Sequence, residues 1–282
     1  MKNGKENIIN EIVSLFLTFL LSVFLFIIAI VIATNQILFS EQSMARSLSQ
    51  SDFHSSAYED LRLSISDRLI PTGLPSDVME NVITPPDVYQ DVNEALAAAF
   101  SEQLYNSVNR EAITQRLNDN IDLHLAGIDL TREEVGEENI EGIIQVVLDE
   151  YESYMAFPFI GQISSLSRTF DGLLFPVLLV SLGAVIVIAG CIYILKKHQS
   201  FRYYAYSFGS AALMAIVGPL IFRIWGGYRR LAITPERVFE ALVTHIDRTI
   251  LAFFIGGAIF ITVQIICIFI SAKIRTKLEP SQ

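Results

Sequence analysis

Four long runs of residues without a charged side chain constrain this chain more than any other feature of its sequence. A helix needs about 20 mainly apolar residues to cross roughly 30 Å of hydrocarbon, because it rises about 1.5 Å per residue. The runs cover residues 12–40, 172–195, 203–222 and 249–272. With 52% hydrophobic and 18% charged residues, the chain is too apolar for an ordinary soluble domain and too charged for spans alone. The sequence therefore predicts an all-α membrane protein with four transmembrane helices and a helical domain inserted between the first and the second.

The first run predicts a retained anchor and not a cleaved signal peptide. Lys2 and Lys5 give it a positive start, but the apolar core of a signal peptide is only about 7–15 residues long. Here the apolar stretch is longer, and it ends in Thr34, Asn35 and Gln36 without a small-x-small cleavage pattern. We expect it to remain as the first transmembrane helix.

The lysines predict the orientation of the chain, because basic residues near the ends of spans are retained in the cytoplasm during insertion. All six lie in segments that four spans place on one side: Lys2, Lys5, Lys196, Lys197, Lys273 and Lys277. We expect a multi-pass protein of the cell (cytoplasmic) membrane, with both termini in the cytoplasm. The predicted cytoplasmic segments are 1–11, 196–202 and 273–282, and the predicted spans are 12–39, 172–195, 203–222 and 249–272. The predicted extracytoplasmic segments are an acidic helical domain at 40–171 and a loop at 223–248 with a short amphipathic helix.

The predicted domain is strongly acidic and has no cysteine. Residues 41–171 contain 24 Asp plus Glu, seven Arg and no Lys, a formal charge of 7 − 24 = −17 in a chain whose total is −10. Such a charge repels nucleic acid and anionic headgroups and attracts cations or a basic partner. Both cysteines, Cys191 and Cys267, lie in predicted spans, so the domain must fold without a disulfide, which its length permits.

Apolar residues at every fourth position predict helices within the domain. One begins at Pro85 after the capping residue Thr84, and its apolar stripe is Val88, Val92, Leu96, Phe100 and Leu104. The sequence at 75–82 echoes that at 85–92, with Pro, Asp, Val and Val at the same offsets. The echo is either a functional repeat or two successive helix starts, and we favour two helix starts because they need no further assumption.

Two more helices follow in the predicted domain. The second extends from about Arg110 to Ala126, and Gly127 is expected to close it in the left-handed conformation. The third begins with a capping box from Thr131 to Glu134 and continues after Gly136. Their apolar positions are Ile113, Leu117, Ile121 and Leu125 in the second helix, and Ile140, Ile143, Ile144, Val147, Leu148 and Tyr151 in the third.

The predicted loop at 223–248 has the opposite charge to the domain. It carries five Arg against three Asp plus Glu, a net of 5 − 3 = +2. One hypothesis is that the acidic domain docks on this loop and on the outer ends of the third and fourth spans, and the alternative is that each face is solvated separately. Within the membrane, Ser207, Ala211 and Ala215 form a small-residue stripe that predicts close packing of the third span.

The search for reactive chemistry gives no catalytic residue, no cofactor and no metal site. The interiors of the four runs contain no Asp, Glu, Lys, Arg or His, and such residues usually mark proton or ion coupling. The acidic cluster at 129–141 invites a calcium site, but the loop that starts at Asp122 places His124 and Ala126 where oxygen ligands are required. The four histidines lie far apart, and no phosphate-binding or nucleophile motif is present.

We therefore expect a non-enzymatic membrane component. Besides the lipid bilayer, its expected partner is a protein, bound at the extracytoplasmic face or within a membrane complex, and nucleic acid is not expected. The alternative is a membrane subunit of a transport complex. The order of one span, a large external domain and three more spans resembles the membrane subunits of cell-division and macrolide-exporter type ABC systems. The resemblance covers topology only, and it implies an ATPase partner.

Overall fold

The structure of the protein is a computed structural model that describes residues 2–101, 103, 105–155 and 158–278. It is 89% helical, and no strand occurs within these residues, which confirms the all-α prediction. The α-helices are α1 (Lys2–Ala33), α2 (Glu41–Gln50), α3 (Phe53–Leu69), α4 (Pro85–Ser101), α5 (Arg110–Gly127), α6 (Arg132–Val135), α7 (Glu137–Met155), α8 (Pro158–Lys196), α9 (Ser200–Trp225) and α10 (Glu236–Leu278). Short 3₁₀ turns lie at Ile70–Thr72, Ser76–Met79, Lys197–Gln199 and Gly227–Arg230, and a π-helical turn follows α1 at Thr34–Leu38.

The chain forms two compact units. The helical domain consists of Glu41–Leu166 together with Ala232–Thr244. The apolar unit consists of Met1–Ser40, Ser167–Leu231 and His245–Gln282.

The core of the helical domain combines the apolar stripes predicted for α4, α5 and α7 with buried residues of α2 and α3, for which the sequence analysis predicts no helix. Its largest fully buried side chains are Tyr151, Phe53, Met44, Leu48, Leu61, Ile65, Leu69, Leu96, Ile113, Leu117, Ile121 and Ile140. Val88 and Val92 of α4 are also fully buried, while Leu104 lies outside the described residues. The helices predicted to begin at Pro85 and at about Arg110 are confirmed, and they extend over Pro85–Ser101 and Arg110–Gly127. Burying these stripes supplies most of the stabilisation, at about 25 cal/mol per Å² of apolar surface.

Two predictions at glycines in the domain are wrong: the left-handed conformation of Gly127 and the continuation of one helix through Gly136. Gly127 is the last residue of α5 and is not left-handed; that conformation is taken by Asp129, with φ of 54°. Gly136 adopts φ of 92° and ends α6, which carries the predicted capping box of Thr131 and Glu134. Because a residue with this φ cannot continue an α-helix, residues 132–155 form two helices.

Each copy of the repeated pattern at 75–82 and 85–92 begins a helical element, but the two elements differ in length. The first copy forms the single 3₁₀ turn Ser76–Met79, and the second forms the 17-residue helix α4. In α4 the Asp87 carboxylate accepts hydrogen bonds from the backbone N–H and the hydroxyl of Thr84, each at 2.8 Å. This arrangement caps the helix start that the sequence predicts.

Within the part of the chain that the structure describes, three helical segments are long and apolar enough to cross a membrane. They are Ile8–Leu38, Gly172–Arg230 and Glu236–Thr276. The short helix predicted after Thr234 does begin at Glu236, but it continues without interruption to Leu278. The 39-residue helix α8 likewise begins well before the predicted second span, at Pro158.

The small-residue stripe of α9 is packed as predicted. Ser207, Ala211 and Ala215 are each fully buried, and the Ser207 hydroxyl donates to the Thr18 carbonyl of α1 at 3.0 Å. Small side chains allow this approach because they keep the two helix backbones close.

Thr262 and Gln264, two polar residues of the fourth charge-free run, make different contacts. The Thr262 hydroxyl donates to the Ala258 carbonyl of its own helix at 2.9 Å. The Gln264 amide lies against Gly209 of α9, where a Cβ would be only 2.6 Å from its nitrogen.

Gly257 of α10 allows a second close approach to α9, and its replacement by alanine is expected to destabilise the apolar unit. A Cβ at Gly257 would lie 2.5 Å from Cγ1 of Ile216, whereas a Cβ at the neighbouring Gly256 meets nothing within 4 Å. Overpacking costs about 1–3 kcal/mol, while both variants share the gain in helix propensity. Thermal unfolding of the full chain in mild detergent should show a lower midpoint for Gly257→Ala than for Gly256→Ala. Equal midpoints would contradict the close α9–α10 packing.

Candidate functional site

The most distinctive surface of the helical domain is a ridge formed by residues 76–81. A bend precedes it, where Gly73 adopts φ of 75° after the 3₁₀ turn Ile70–Thr72. The ridge then follows the 3₁₀ turn Ser76–Met79 and ends at Asn81, with φ of 57°. Positive φ is costly for most residues and tolerated by Gly and Asn, so these two positions fix where the chain turns.

The ridge is held to the domain from beneath and from the side. Val78 and Val82 are buried in the core at 3% and 0% exposure. From α5, the Asn120 side-chain amide donates to the carbonyls of Val78 and Glu80, both at 2.9 Å. These contacts satisfy the backbone of a segment too short to form regular structure, and they pre-organise its side chains.

Arg116 of α5 extends this support to α4. Its guanidinium donates to an Asp87 carboxylate oxygen at 2.9 Å and lies 3.5 Å from the Asn81 carbonyl. Burial opposes ionisation of Asp87, but the hydrogen bonds from Arg116 and Thr84 and the charge of Arg116 outweigh it, so the pKa of Asp87 is lowered. A lowered folded-state pKa contributes stability above the unfolded value, and this contribution is lost as the pH falls through the folded pKa.

Grooves lie on both sides of the ridge. The groove towards α3 has a volume of about 450 Å³ and is lined by Tyr58, Glu59, Leu61, Arg62, Ile65, Ser66, Ser76, Asp77, Met79, Glu80, Asn81 and Ile83. The groove towards α5 has a volume of about 340 Å³ and is lined by Asp77, Val78, Glu80, Asn81, Asn120, Leu123 and His124. Asp77, Glu80 and Asn81 border both grooves, so the ridge presents its carboxylates to either side.

The charges around the grooves are mainly acidic and solvent-accessible. Neither Asp77 nor Glu80 has an ion-pair partner in the described part of the chain, whereas Glu59 lies 3.4 Å from Arg62. Leu123 is 75% exposed in the groove towards α5. Two free carboxylates beside an exposed apolar side chain match a ligand that carries both cationic and apolar groups.

A second polar cluster surrounds Asp91 in the interior of the domain. Asp91 is fully buried, and its carboxylate accepts from the Tyr151 hydroxyl at 2.5 Å, the Ser107 hydroxyl at 2.7 Å and the Val108 N–H at 2.8 Å. Burial, followed by the hydrogen bond to Asp91, raises the pKa of Tyr151. The carboxylate is buried and accepts three hydrogen bonds, so the cluster joins α4, α7 and residues 107–108 within the core of the domain.

The acidic cluster at 129–141 does not converge on a cation site. Glu134 accepts from Thr131 in the capping box, and Glu137 lies 3.6 Å from Arg132. Among the residues that the structure describes, no group of three or more His, Cys, Asp or Glu could hold a metal ion. The helix face therefore spreads these carboxylates over the surface.

The histidines and cysteines are dispersed between the two units. His54 stacks near Tyr89, with ring centroids 4.6 Å apart, and burial lowers its pKa. His245 is buried, with Nε2 3.0 Å from the Leu38 carbonyl oxygen. Cys191 is exposed and Cys267 buried, and both are free thiols. None of these side chains borders the ridge, whereas His124 lines the groove towards α5.

Arg237 of the predicted loop at 223–248 lies within the helical domain. Arg237 forms an ion pair with Asp60 of α3, and its guanidinium lies 4.7 Å from the ring centroid of Tyr154 in α7. Arg229 instead pairs with Asp247 at 2.6 Å. The difference arises because α10 begins at Glu236, which places Arg237 and the fully buried Ala241 on one helical face within the domain.

Comparison with known proteins gives no relative. No protein-family model matches the chain, and no curated protein or solved structure matches it either.

Proposed function

We propose that this chain is a four-span membrane protein whose acidic helical domain binds a basic segment of a partner protein outside the cytoplasm. The observation that carries the proposal is the pre-organised ridge at 76–81, where Asp77 and Glu80 border two grooves and have no ion-pair partner among the residues that the structure describes. In this proposal the chain is a non-enzymatic component of the cell membrane.

Helix lengths support four spans. The apolar segment Gly172–Arg230 has 59 residues, more than twice the length of about 20 that one crossing needs. The 3₁₀ turn Lys197–Gln199 interrupts it, with Lys197 at φ of 44°. We infer that α8 and α9 cross separately and that the lysines of this turn lie in the cytoplasm, together with both termini.

Electrostatics support a basic partner. The segment 41–171 carries a formal charge of −17, which attracts cationic ligands over a distance of roughly 8–10 Å at physiological salt. The electrostatic field of the whole domain raises the rate at which a cationic partner meets it, while the ridge and its grooves supply a fixed binding position for a Lys or Arg side chain flanked by apolar residues.

The alternative, a membrane subunit of a transport complex, stays a prediction from topology. The turn between α8 and α9 spans only Lys197–Gln199, which is a small surface for an ATPase.

A defined peptide tests the proposal. The full chain in zwitterionic lipid nanodiscs is titrated with a fluorescent peptide that alternates Lys or Arg with Leu, and binding is followed by anisotropy. The double variant Asp77→Asn with Glu80→Gln should weaken binding about tenfold, which is roughly 1.4 kcal/mol.

The matched control is Glu138→Gln with Glu141→Gln, two exposed acids of the cluster at 129–141. It removes the same charge and should change the affinity much less. Equal losses in the two double variants would mean that the peptide responds only to net charge, and the ridge would not be the binding site.

A further inference from the structure

An apolar groove in the apolar unit is bordered by α1, α9 and α10. It has a volume of about 390 Å³, within the range of roughly 300–1,000 Å³ of small-molecule sites. Its lining residues are Leu38, Gly218, Pro219, Phe222, Ile246, Thr249, Ile250 and Phe253. The only side-chain polar group among them is the Thr249 hydroxyl, which donates to the His245 carbonyl of its own helix at 3.0 Å. The groove therefore offers an apolar ligand contact without competing polar groups.

Two local features of the backbone shape this groove. Gly218 contributes no side chain, and a Cβ built there would meet nothing within 4 Å, so open space lies in front of it. On the opposite wall, α1 ends in the π-helical turn Thr34–Leu38, and the Leu38 carbonyl oxygen lies 3.0 Å from Nε2 of the buried His245. Wider helical turns of this kind are frequent where a helix lines a functional site.

Arginines follow the groove residues Pro219 and Phe222 along the chain, at Arg223, Arg229 and Arg230. Phe222 stacks on Tyr228 with ring centroids 5.2 Å apart, and Arg229 lies 5.5 Å from the Tyr228 ring while it pairs with Asp247. Arg223 and Arg230 are exposed, and neither has an ion-pair partner among the described residues. Trp225, the last residue of α9, is 65% exposed, and tryptophan is enriched at the membrane–water boundary.

We propose that this groove holds one acyl chain of an anionic phospholipid, whose headgroup phosphate is bound by Arg223 and Arg230. The proposal rests on the membrane topology proposed above and is independent of the partner-binding ridge. The membrane supplies the ligand, the groove accepts its chain, and the two arginines supply the charge that complements its headgroup. Arginine suits this role because its planar fork donates two parallel hydrogen bonds to a phosphate.

Native mass spectrometry and thermal unfolding of the full chain test the proposal, with phosphatidylglycerol and phosphatidylcholine as probes. Phosphatidylglycerol should remain bound as one molecule and raise the unfolding midpoint more than phosphatidylcholine does. Inorganic phosphate should give no rise, because it has no chain to occupy the groove. Equal effects of the two lipids, or a rise with phosphate alone, would overturn the proposal.

Two sets of variants locate the lipid. Gly218→Leu places a side chain in the groove and should abolish the retained lipid, whereas Gly190→Leu of α8, where a Cβ also meets nothing within 4 Å, should retain it. Arg223→Gln with Arg230→Gln should remove the preference for phosphatidylglycerol without unfolding the protein. Retention of the lipid by Gly218→Leu, or an unchanged preference in the arginine variant, would place the lipid elsewhere. Peptide binding at the ridge should be unchanged in every variant, so failure here is distinguishable from failure of the proposed partner binding.

Discussion

Replacement of Asp91 by alanine is expected to destabilise the helical domain by about 3 kcal/mol. The substitution leaves the Tyr151 and Ser107 hydroxyls and the Val108 N–H without their acceptor in a site that water does not reach. A buried donor left unsatisfied costs about 1–3 kcal/mol, and the three losses are coupled and do not add fully. Asp91→Asn keeps one acceptor oxygen and should cost less.

Hydrogen exchange of the full chain in nanodiscs, read from peptides that cover α4 and α7, measures this effect. A loss of about 3 kcal/mol corresponds to roughly a hundredfold faster exchange through opening of the domain. Glu94→Ala is the matched control, because Glu94 is an exposed acid one turn further along α4. Similar exchange in the two variants would contradict the central role of the Asp91 cluster.

Replacement of Arg237 by glutamate is the other change with a large expected effect, again about 3 kcal/mol. The Arg237 side chain is only 9% exposed; it pairs with Asp60 and lies over the Tyr154 ring. A glutamate there would place two carboxylates side by side and lose the attraction of the cation for the aromatic face. The residues around Ala241 should then detach from the core of the domain, which limited proteolysis of the full chain would show as new cleavage within 232–244.

A charge swap distinguishes the ion pair from a general folding defect. Arg237→Glu combined with Asp60→Arg should restore part of the protease resistance, because the opposite charges are again adjacent. Arg46→Glu, a reversal at an exposed position of α2, is the control and should leave the cleavage pattern unchanged. If the swap restores nothing, packing of the arginine stem and not its charge holds the segment.

Much of the secondary structure could be predicted from the sequence because the signals are local. Stripes such as Val88, Val92 and Leu96 identify a buried helical face, and a Thr before Pro85 identifies its start. The errors at Gly127 and Gly136 have the same origin. Glycine can adopt either a helical or a positive φ, so its presence in the sequence does not determine which of the two occurs. The continuity of α10 through residues 236–278 was missed because the charged residues before Thr249 suggested a break, although charges on one face do not end a helix.

The candidate sites were harder to predict. Asp91 follows Val88 by three residues and so falls on the buried stripe of α4, a signal that the sequence does contain. Its three donors come from other parts of the chain, which no local pattern specifies. The ridge was visible only as the echo at 75–82, and the direction of its carboxylates depends on hydrogen bonds from Asn120.

The sequence by itself determined that the chain is helical, that it contains apolar segments long enough to cross a membrane, and that its acidic charge is concentrated in one region. These properties follow from residue type and from periodicity over a few helical turns. Only the tertiary structure decided that residues 232–244 pack within the helical domain, that Arg237 pairs with Asp60 there, and that Asp77 and Glu80 border two grooves. The physical reason is that such contacts join residues far apart in sequence, as Asp60 and Arg237 are, and depend on which buried faces pack together.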